Sequence, residues 1–223
     1  MTRTPGEPRR VAPTPDVVDY VLAHSTPAHP VQELLVARTR QQYPRHATMQ
    51  IAPEQGPLLT LLTHLVGARQ AVEIGTFTGY SSISIARALP PGGRLLCCDI
   101  SAAATTTAAH AWAEAGLTDR VELRLGPAAE TLRALPREER FELAFVDADK
   151  AGYATYHDEL LPRVRPGGLL VYDNTLLGGR VLDPAASGDA AALRAFNSRL
   201  VADDRVEVVV LPMADGLTLA RKR

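Results

Sequence analysis

Residues 71–81 read Ala-Val-Glu-Ile-Gly-Thr-Phe-Thr-Gly-Tyr-Ser, and this stretch decides the fold. Its first four residues form a short apolar run that is typical of a buried strand. Two glycines, Gly75 and Gly79, follow in a turn and let the backbone pass close to a ligand before the next helix starts. A strand, a glycine turn and a helix in this order predict the ligand-binding edge of an α/β sheet.

The same order of strand, turn and helix repeats along the chain, which predicts an open doubly wound sheet. The expected strands are 71–74, 94–98, 121–125, 141–146 and 169–172. A first helix should follow the glycine turn and end near residue 88, and further helices are expected over 102–115, 129–135, 153–161 and 190–201. Strands at 206–211 and 217–220 should form a hairpin, because Asp215-Gly216 favours a tight reversal. The sequence thus predicts a Rossmann-like α/β fold with a seven-stranded, mostly parallel sheet and a C-terminal antiparallel hairpin.

The N-terminal part has a different pattern. Residues 1–15 are rich in Pro, Arg and Thr and predict a flexible arm. Helices are expected over 16–23, over 31–42 and from about 53 to 67. We therefore expect one domain over residues 16–223, with a helical extension at 16–67 and the Rossmann-like core at 68–223.

Composition limits the class of partner. The chain of 223 residues carries 24 basic and 25 acidic side chains, so no net field attracts nucleic acid or an anionic membrane. No apolar run reaches the roughly 20 residues that a membrane-spanning helix needs. The first ten residues lack the apolar core of a secretory signal, so a cytoplasmic location is expected. The histidines lack zinc-site spacing, which argues against a zinc enzyme.

The first turn predicts the kind of cofactor. It contains neither the Gly-x-Gly-x-x-Gly pattern of dinucleotide enzymes nor the lysine of a phosphate-binding loop. Glu73, on the lip of the turn, would repel a pyrophosphate but suits the ammonium of an amino-acid moiety. Asp99 ends the second strand, where an acid commonly accepts hydrogen bonds from both ribose hydroxyls. Taken alone, a glycine in such a turn is often ordinary turn chemistry and an acid at a strand end is often a solvated side chain, whereas their joint occurrence at the ends of the first two strands favours an adenosine ligand.

Acidic residues also follow the fourth and fifth strands, as Asp147-Ala-Asp149-Lys150 and Asp173-Asn174. These strands should be neighbours, so the two loops should converge. Each pair of carboxylates about 4 Å apart would cost about 4 kcal/mol at an effective dielectric near 20, unless the groups splay apart, hold a proton or surround a cation. Carboxylate and amide oxygens are what hard divalent ions prefer. Three solvated loop acids are the alternative, but the arrangement on adjacent strands favours a metal site.

Three motifs carry a family resemblance: Phe-Val-Asp-Ala-Asp-Lys at 145–150, Tyr-Asp-Asn-Thr-Leu at 172–176 and Glu-Ile-Gly-Thr-Phe-Thr-Gly-Tyr-Ser at 73–81. They resemble the cation-dependent O-methyltransferases of the caffeoyl-CoA and catechol type, which use S-adenosylmethionine (SAM). The similarity runs from about Met49 to the C-terminal Pro-Met-Ala-Asp-Gly-Leu-Thr segment, roughly three quarters of the chain.

The resemblance implies a role for each matched residue. The metal ligands would be Asp147, Asp173 and Asn174, holding Mg²⁺ or alternatively Mn²⁺ or Ca²⁺. Asp147 and Lys150 would be the catalytic residues; Lys150 is either the general base or a salt-bridge partner of Asp147 or Asp149. The SAM site would comprise Ile51, Glu73, Gly75, Thr76, Ser81, Asp99, Ala128 and Asp149.

The implied activity is methyl transfer to an oxygen of a small, catechol-like acceptor, by a homodimer. Gln55 stands where plant members have Glu, and Gly178 where they have a substrate-contacting Asn, so a small phenol fits better than a CoA thioester. A metal-independent small-molecule methyltransferase and a non-catalytic SAM-binding protein are the alternatives. A dehydrogenase would need the missing dinucleotide pattern, and a nucleic-acid methyltransferase would need a basic face.

Overall fold

The computed structural model describes residues 11–223, so residues 1–10 of the predicted arm lie outside the described part. A seven-stranded sheet in the order β3-β2-β1-β4-β5-β7-β6 forms its centre. The strands are β1 (Gln70–Ile74), β2 (Arg94–Asp99), β3 (Val121–Leu125), β4 (Phe141–Val146), β5 (Val164–Tyr172), β6 (Val206–Leu211) and β7 (Leu217–Lys222).

Strands β1 to β5 pair in parallel, and β7 pairs antiparallel with both β5 and β6. The predicted fold, including the C-terminal hairpin, is therefore confirmed. Strand β5 begins five residues before the predicted start at 169, because Pro166-Gly167-Gly168 do not end the strand. Instead they lie where the pairing of β4 with β5 shifts register, an irregularity that glycine tolerates.

Helices cover both faces of the sheet. One face packs against Leu59, Ile83 and Trp112, and the other against Leu132 and Leu160. This arrangement explains why the inner strands are almost uniformly apolar rather than alternating. The helices are α1 (Pro15–Ala23), α2 (Pro30–Gln42), α3 (Gln55–Leu65), α4 (Tyr80–Ala88), α5 (Ala102–Glu114), α6 (Ala128–Ala134), α7 (Tyr153–Leu160) and α8 (Asp189–Val201).

The N-terminal helices α2 and α3 pack on the core rather than standing apart from it. The buried amide of Gln32 on α2 donates from Nε2 to the carbonyl of Tyr80 at 3.0 Å and to Ser84 Oγ at 2.8 Å, both on α4. These contacts bring the segment between α2 and α3 to the carboxyl ends of the central strands. No helix within residues 11–223 is long and apolar enough to cross a membrane.

Candidate active site

A cavity of about 1170 Å³ opens at the carboxyl ends of the parallel strands. That volume exceeds the roughly 300–1,000 Å³ of a typical site for one small molecule, so a cofactor and an acceptor can share it. Every residue predicted for the site except Glu73 lines this cavity: Ile51, Gly75, Thr76, Ser81, Asp99, Ala128, Asp147, Asp149, Lys150, Asp173 and Asn174.

Strained backbone is concentrated at this cavity. Four residues other than glycine have positive φ within residues 11–223: Phe77 (50°), Asn174 (55°), Leu177 (46°) and Ala214 (47°). All four line the cavity. Such conformations cost on the order of 1–3 kcal/mol each and persist where the surroundings enforce them, which is typical of binding sites.

Gly75 brings the first turn against the loop after β4. Its φ of 86° and its surroundings both require glycine, because a Cβ atom there would lie 2.0 Å from the carbonyl oxygen of Asp147. The predicted cofactor turn and the predicted acidic loop are therefore in direct backbone contact.

Asp99 organises this turn from the end of β2. Its Oδ2 atom accepts hydrogen bonds from the backbone N–H groups of Thr76 and Phe77, both at 2.8 Å. Its Oδ1 atom accepts one from Ser101 N at 2.7 Å. The predicted ribose-binding acid thus also holds the shape of the first turn, a role that its position in the sequence did not indicate.

Glu73 is 0% exposed and does not lie on the lip of the turn, so that expectation was wrong. The reason is that β1 lies between β2 and β4, and the side chain points into the layer under α4. There Cys97 Sγ donates to Glu73 Oε2 at 3.4 Å, while Oε1 is buried without a hydrogen-bond partner. Burial raises the pKa of Glu73 to about 7, and the hydroxyls of Ser81 and Thr76 oppose the rise.

The acidic loops after β4 and β5 converge as predicted, because Asp173 N donates to the carbonyl of Val146 at 3.0 Å at the ends of the two strands. Lys150 lies between the loops. Its Nζ atom donates to Asp147 Oδ1 at 3.0 Å and to Asn174 Oδ1 at 2.7 Å. Oxygen atoms from two of the three predicted metal ligands thus surround one positive charge.

Asp173 is the third predicted ligand and is 1% exposed. Its Oδ1 atom accepts hydrogen bonds from Asn174 N at 2.7 Å and Gln55 Nε2 at 2.8 Å, and within residues 11–223 no hydrogen bond reaches Oδ2. Burial, followed by the charge of Asp147, raises the pKa of Asp173 to about 7. Burial also raises the pKa of Asp147, against the effect of Lys150. Asp147 and Asp173 are therefore not solvated loop acids.

Asp149, the other acid of the first loop, is exposed. Its Oδ1 atom accepts a hydrogen bond from the hydroxyl of Tyr156 at 2.5 Å. The ion pair of Lys150 is therefore formed with Asp147 rather than with Asp149. Whether Lys150 also acts as the base stays a prediction.

Three polar residues of the site were not among the predicted site residues. Gln55 reaches Asp173 from the start of α3, Tyr156 binds Asp149, and the hydroxyl of Tyr153 accepts a hydrogen bond from Lys150 Nζ at 2.9 Å. The two tyrosines follow the acidic loop by a few residues at the start of α7, which was the available signal. For Gln55 the available signal was that it stands where plant members have Glu, but its contact with Asp173, 118 residues away in the chain, had no local signal.

The residues fit a hard divalent cation by their chemistry, since carboxylate and amide oxygens from Asp147, Asp173 and Asn174 face the same cavity. Within residues 11–223 no three side chains of His, Cys, Asp or Glu form a metal-binding group, so the set depends on the amide of Asn174. The cofactor turn also fits SAM, because the unpartnered Oε1 of Glu73 is a buried acceptor beside it.

Comparison with known proteins agrees with this geometry. Residues 22–223 match the family model described as O-methyltransferase. The probable caffeoyl-CoA O-methyltransferase 1 of Dictyostelium discoideum is 37% identical, over 92% of this chain and 91% of its own length. The catechol O-methyltransferase domain-containing protein 1 of Mus musculus is also 37% identical, over 91% of this chain and 78% of its own.

Two solved structures extend the comparison to the fold. The O-methyltransferase TomG from Streptomyces achromogenes, involved in tomaymycin synthesis and determined in complex with SAM, superposes with a TM-score of 0.86 at 33% identity, covering 93% of this chain and 96% of TomG. The O-methyltransferase from Bacillus cereus, in complex with S-adenosylhomocysteine (SAH), gives a TM-score of 0.85 at 31% identity, covering 93% and 97%. The chain belongs to the O-methyltransferase family and is a SAM-dependent O-methyltransferase.

Proposed function

We propose that this enzyme transfers the methyl group of SAM to one hydroxyl of a vicinal dihydroxy aromatic compound, with a divalent cation held by Asp147, Asp173 and Asn174. The observation that carries the proposal is the convergence on Lys150 Nζ of oxygen atoms from the loops after β4 and β5, at 3.0 and 2.7 Å. Two loops from separate strands thus already present oxygen ligands to one positive charge.

The proposed SAM site lies at the ends of β1 and β2. Gly75 allows the ligand to approach the backbone, and Asp99 holds the turn and lines the cavity. Glu73 supplies negative charge from beneath the turn. Ile51, Thr76, Ser81, Ala128 and Asp149 would complete the site. The SAM and SAH in the two solved relatives support this proposal.

The chain's own residues would prepare the acceptor oxygen for attack. When bound, a divalent cation would lower the pKa of the acceptor hydroxyls and orient them. Once its ammonium has released a proton to solvent, the neutral Nζ of Lys150, which is within hydrogen-bond reach of the same oxygen ligands, would take the proton that the attacking hydroxyl loses. Tyr153 keeps the lysine in place by accepting from Nζ and donating its own proton to the carbonyl of Asp173 at 2.9 Å.

The lining of the cavity supports a small neutral or cationic phenol as acceptor. Tyr43 and Phe77 form an edge-to-face pair with ring centroids 5.5 Å apart, and both line the cavity, where they can pack against an aromatic ring. The charged residues of the lining are almost all acids, which would repel the phosphates of a CoA thioester: Asp99, Asp147, Asp149, Asp173, Asp215 and, as the basic member, Lys150.

The homodimer implied by the family resemblance is also a proposal. Helix α1 buries none of its residues, and Tyr20 on it is 64% exposed. A nine-residue helix without a packed face is marginally stable in water, so we expect α1 to pack against a second subunit. Light scattering coupled to size-exclusion chromatography should give twice the mass of the 24.0 kDa chain. A monomer at micromolar concentration would contradict this proposal.

Chelation tests the role of the cation. Turnover should cease in excess EDTA and return with Mg²⁺ or Mn²⁺, and Asp147→Ala, Asp173→Ala and Asn174→Ala should each act like the chelator while still binding SAM. Exposed Asp119, replaced by Ala, is the matched control and should keep full turnover.

A metal-independent methyltransferase is the second candidate, because Lys150 Nζ itself already balances the charge of Asp147. It predicts full activity in EDTA with a metal-free protein, together with loss of activity in Lys150→Ala. The chelation experiment therefore separates the two candidates.

A further inference from the structure

Asp173 is held by a residue outside the sheet. Gln55, the first residue of α3, is 1% exposed and donates from Nε2 to Asp173 Oδ1 at 2.8 Å. With the hydrogen bond from Asn174 N at 2.7 Å, this leaves Oδ1 with two donors. The two hydrogen bonds to Oδ1 fix the direction of the carboxylate. Because no hydrogen bond within residues 11–223 reaches Oδ2, that oxygen is free to bind a cation.

The orientation of the Gln55 amide follows from its other end. Oε1 accepts a hydrogen bond from the backbone N–H of Ala52 at 2.7 Å. A flipped amide would place its NH₂ group against that N–H and its oxygen against the carboxylate of Asp173, which is unfavourable at both ends. Gln55 is therefore a neutral donor with a fixed direction, and Ala52 fixes it.

Ala52 belongs to a segment, residues 50–55, that also contacts the cofactor turn. At the start of this bridging segment, Gln50 Nε2 donates to Thr78 Oγ1 and to Thr39 Oγ1, both at 3.1 Å. Thr78 is fully buried in the turn between β1 and α4. Two glutamine amides in the bridging segment thus connect the cofactor turn with Asp173.

We infer that Gln55 is a positioning residue that fixes the carboxylate of Asp173 for the divalent cation, with the bridging segment as its support. The inference rests on the proposed metal site. Partners of a ligating carboxylate in the surrounding shell are worth roughly 10- to 100-fold in metal affinity. Replacing Gln55 by Met keeps the length of the side chain but removes both hydrogen bonds, so it should weaken cation binding by about that factor.

A matched control is available in the same part of the chain. Gln32 is also a buried glutamine of the N-terminal helices; its Nε2 donates to Tyr80 and Ser84 on α4, and its Oε1 accepts from the backbone N–H of His29 at 3.1 Å. It does not line the cavity. Gln32→Met therefore removes three hydrogen bonds of a buried amide without touching Asp173, and it reports the effect of merely loosening the N-terminal helices.

Titration of the full-length protein with Mn²⁺, followed by electron paramagnetic resonance, tests the inference. Gln55→Met should raise the Kd for Mn²⁺ roughly 10- to 100-fold, with SAM affinity in EDTA changed less than about threefold. Gln32→Met should leave the Kd for Mn²⁺ unchanged despite a lower Tm. The activity of Gln55→Met should recover at high Mg²⁺, because a higher Mg²⁺ concentration fills a site whose affinity has been lowered.

Three outcomes are distinguishable. No Mn²⁺ binding by the wild-type protein removes the proposed metal site itself. If the wild-type protein binds Mn²⁺ and Gln55→Met has the same Kd, the role of Gln55 is wrong while the metal site stands. The same conclusion follows if Gln32→Met loses as much Mn²⁺ affinity as Gln55→Met. If Gln55→Met does not fold, hydrogen exchange of the wild type decides: Mn²⁺ should slow exchange in residues 50–55, and unchanged exchange there contradicts the inference.

Discussion

The Nζ atom of Lys150 lies 2.7 Å from Oδ1 of Asn174, although the two residues follow different strands of the sheet. This contact ties the loop after β4 to the loop after β5. It also places Lys150 Nζ within hydrogen-bond reach of an oxygen that binds beside Asn174. The two interpretations of Lys150, as base and as ion-pair partner, therefore predict different kinetics.

If Lys150 is the base, Lys150→Ala should lower kcat on a catechol by roughly 10²- to 10⁴-fold at pH 7. Part of the rate should return at high pH, because the acceptor then ionises without help. Initial rates of SAH formation between pH 6 and pH 10 measure both effects. A parallel profile for wild type and variant would leave Lys150 with only its ion pair to Asp147.

Asp99→Ala should weaken both the first turn and SAM binding. The variant leaves the N–H groups of Thr76 and Phe77 without their acceptor, which should cost about 1–3 kcal/mol of unfolding free energy. Loss of a charged acceptor for the ribose should also weaken SAM about ten- to a hundredfold in calorimetry. Asp119→Ala is the exposed control. Wild-type SAM affinity in Asp99→Ala would reduce Asp99 to a structural residue.

Glu73 should make the apoprotein less stable as pH rises. Its pKa is about 7 in the folded chain against 4.5 as its ordinary value, so the folded state binds the extra proton. The unfolding free energy should therefore fall by on the order of 3 kcal/mol between about pH 4.5 and pH 7, and it should stay level above that range.

Glu73→Gln removes this titration while keeping the size of the side chain. Urea unfolding at pH 5 and pH 8 should show the variant gaining relative stability at pH 8. An equal difference between the two proteins at both pH values would contradict the burial argument. Since the ammonium of SAM favours the ionised form, Glu73→Gln should also bind SAM more weakly at pH 8.

Much of the site followed from the rules of parallel sheets. The carboxyl ends of β1, β2, β4 and β5 meet at one edge, so acids that follow these strands were expected together, and Asp147 and Asp173 do converge. The contact of Gln55 with Asp173 was not predictable, because no periodic pattern shows where an N-terminal helix docks on the core. The direction of Glu73 was also missed, since alternation along a strand does not show which layer covers either face.

The acceptor provides the most direct test of the whole account. In the proposed site, a cation held by Asp147, Asp173 and Asn174 would fix the attacking oxygen only if a second, adjacent oxygen of the acceptor also bound to it. A catechol should therefore be methylated with Mg²⁺ present, whereas the matching phenol with one hydroxyl should lose most of kcat/KM. The single decisive measurement is kcat/KM for this pair of substrates, from SAH formation with and without EDTA. With Mg²⁺ present, we expect kcat/KM to be much higher for the catechol than for the phenol with one hydroxyl, and we expect EDTA to abolish the activity on the catechol. Equal turnover of the two substrates would contradict the chelation mechanism.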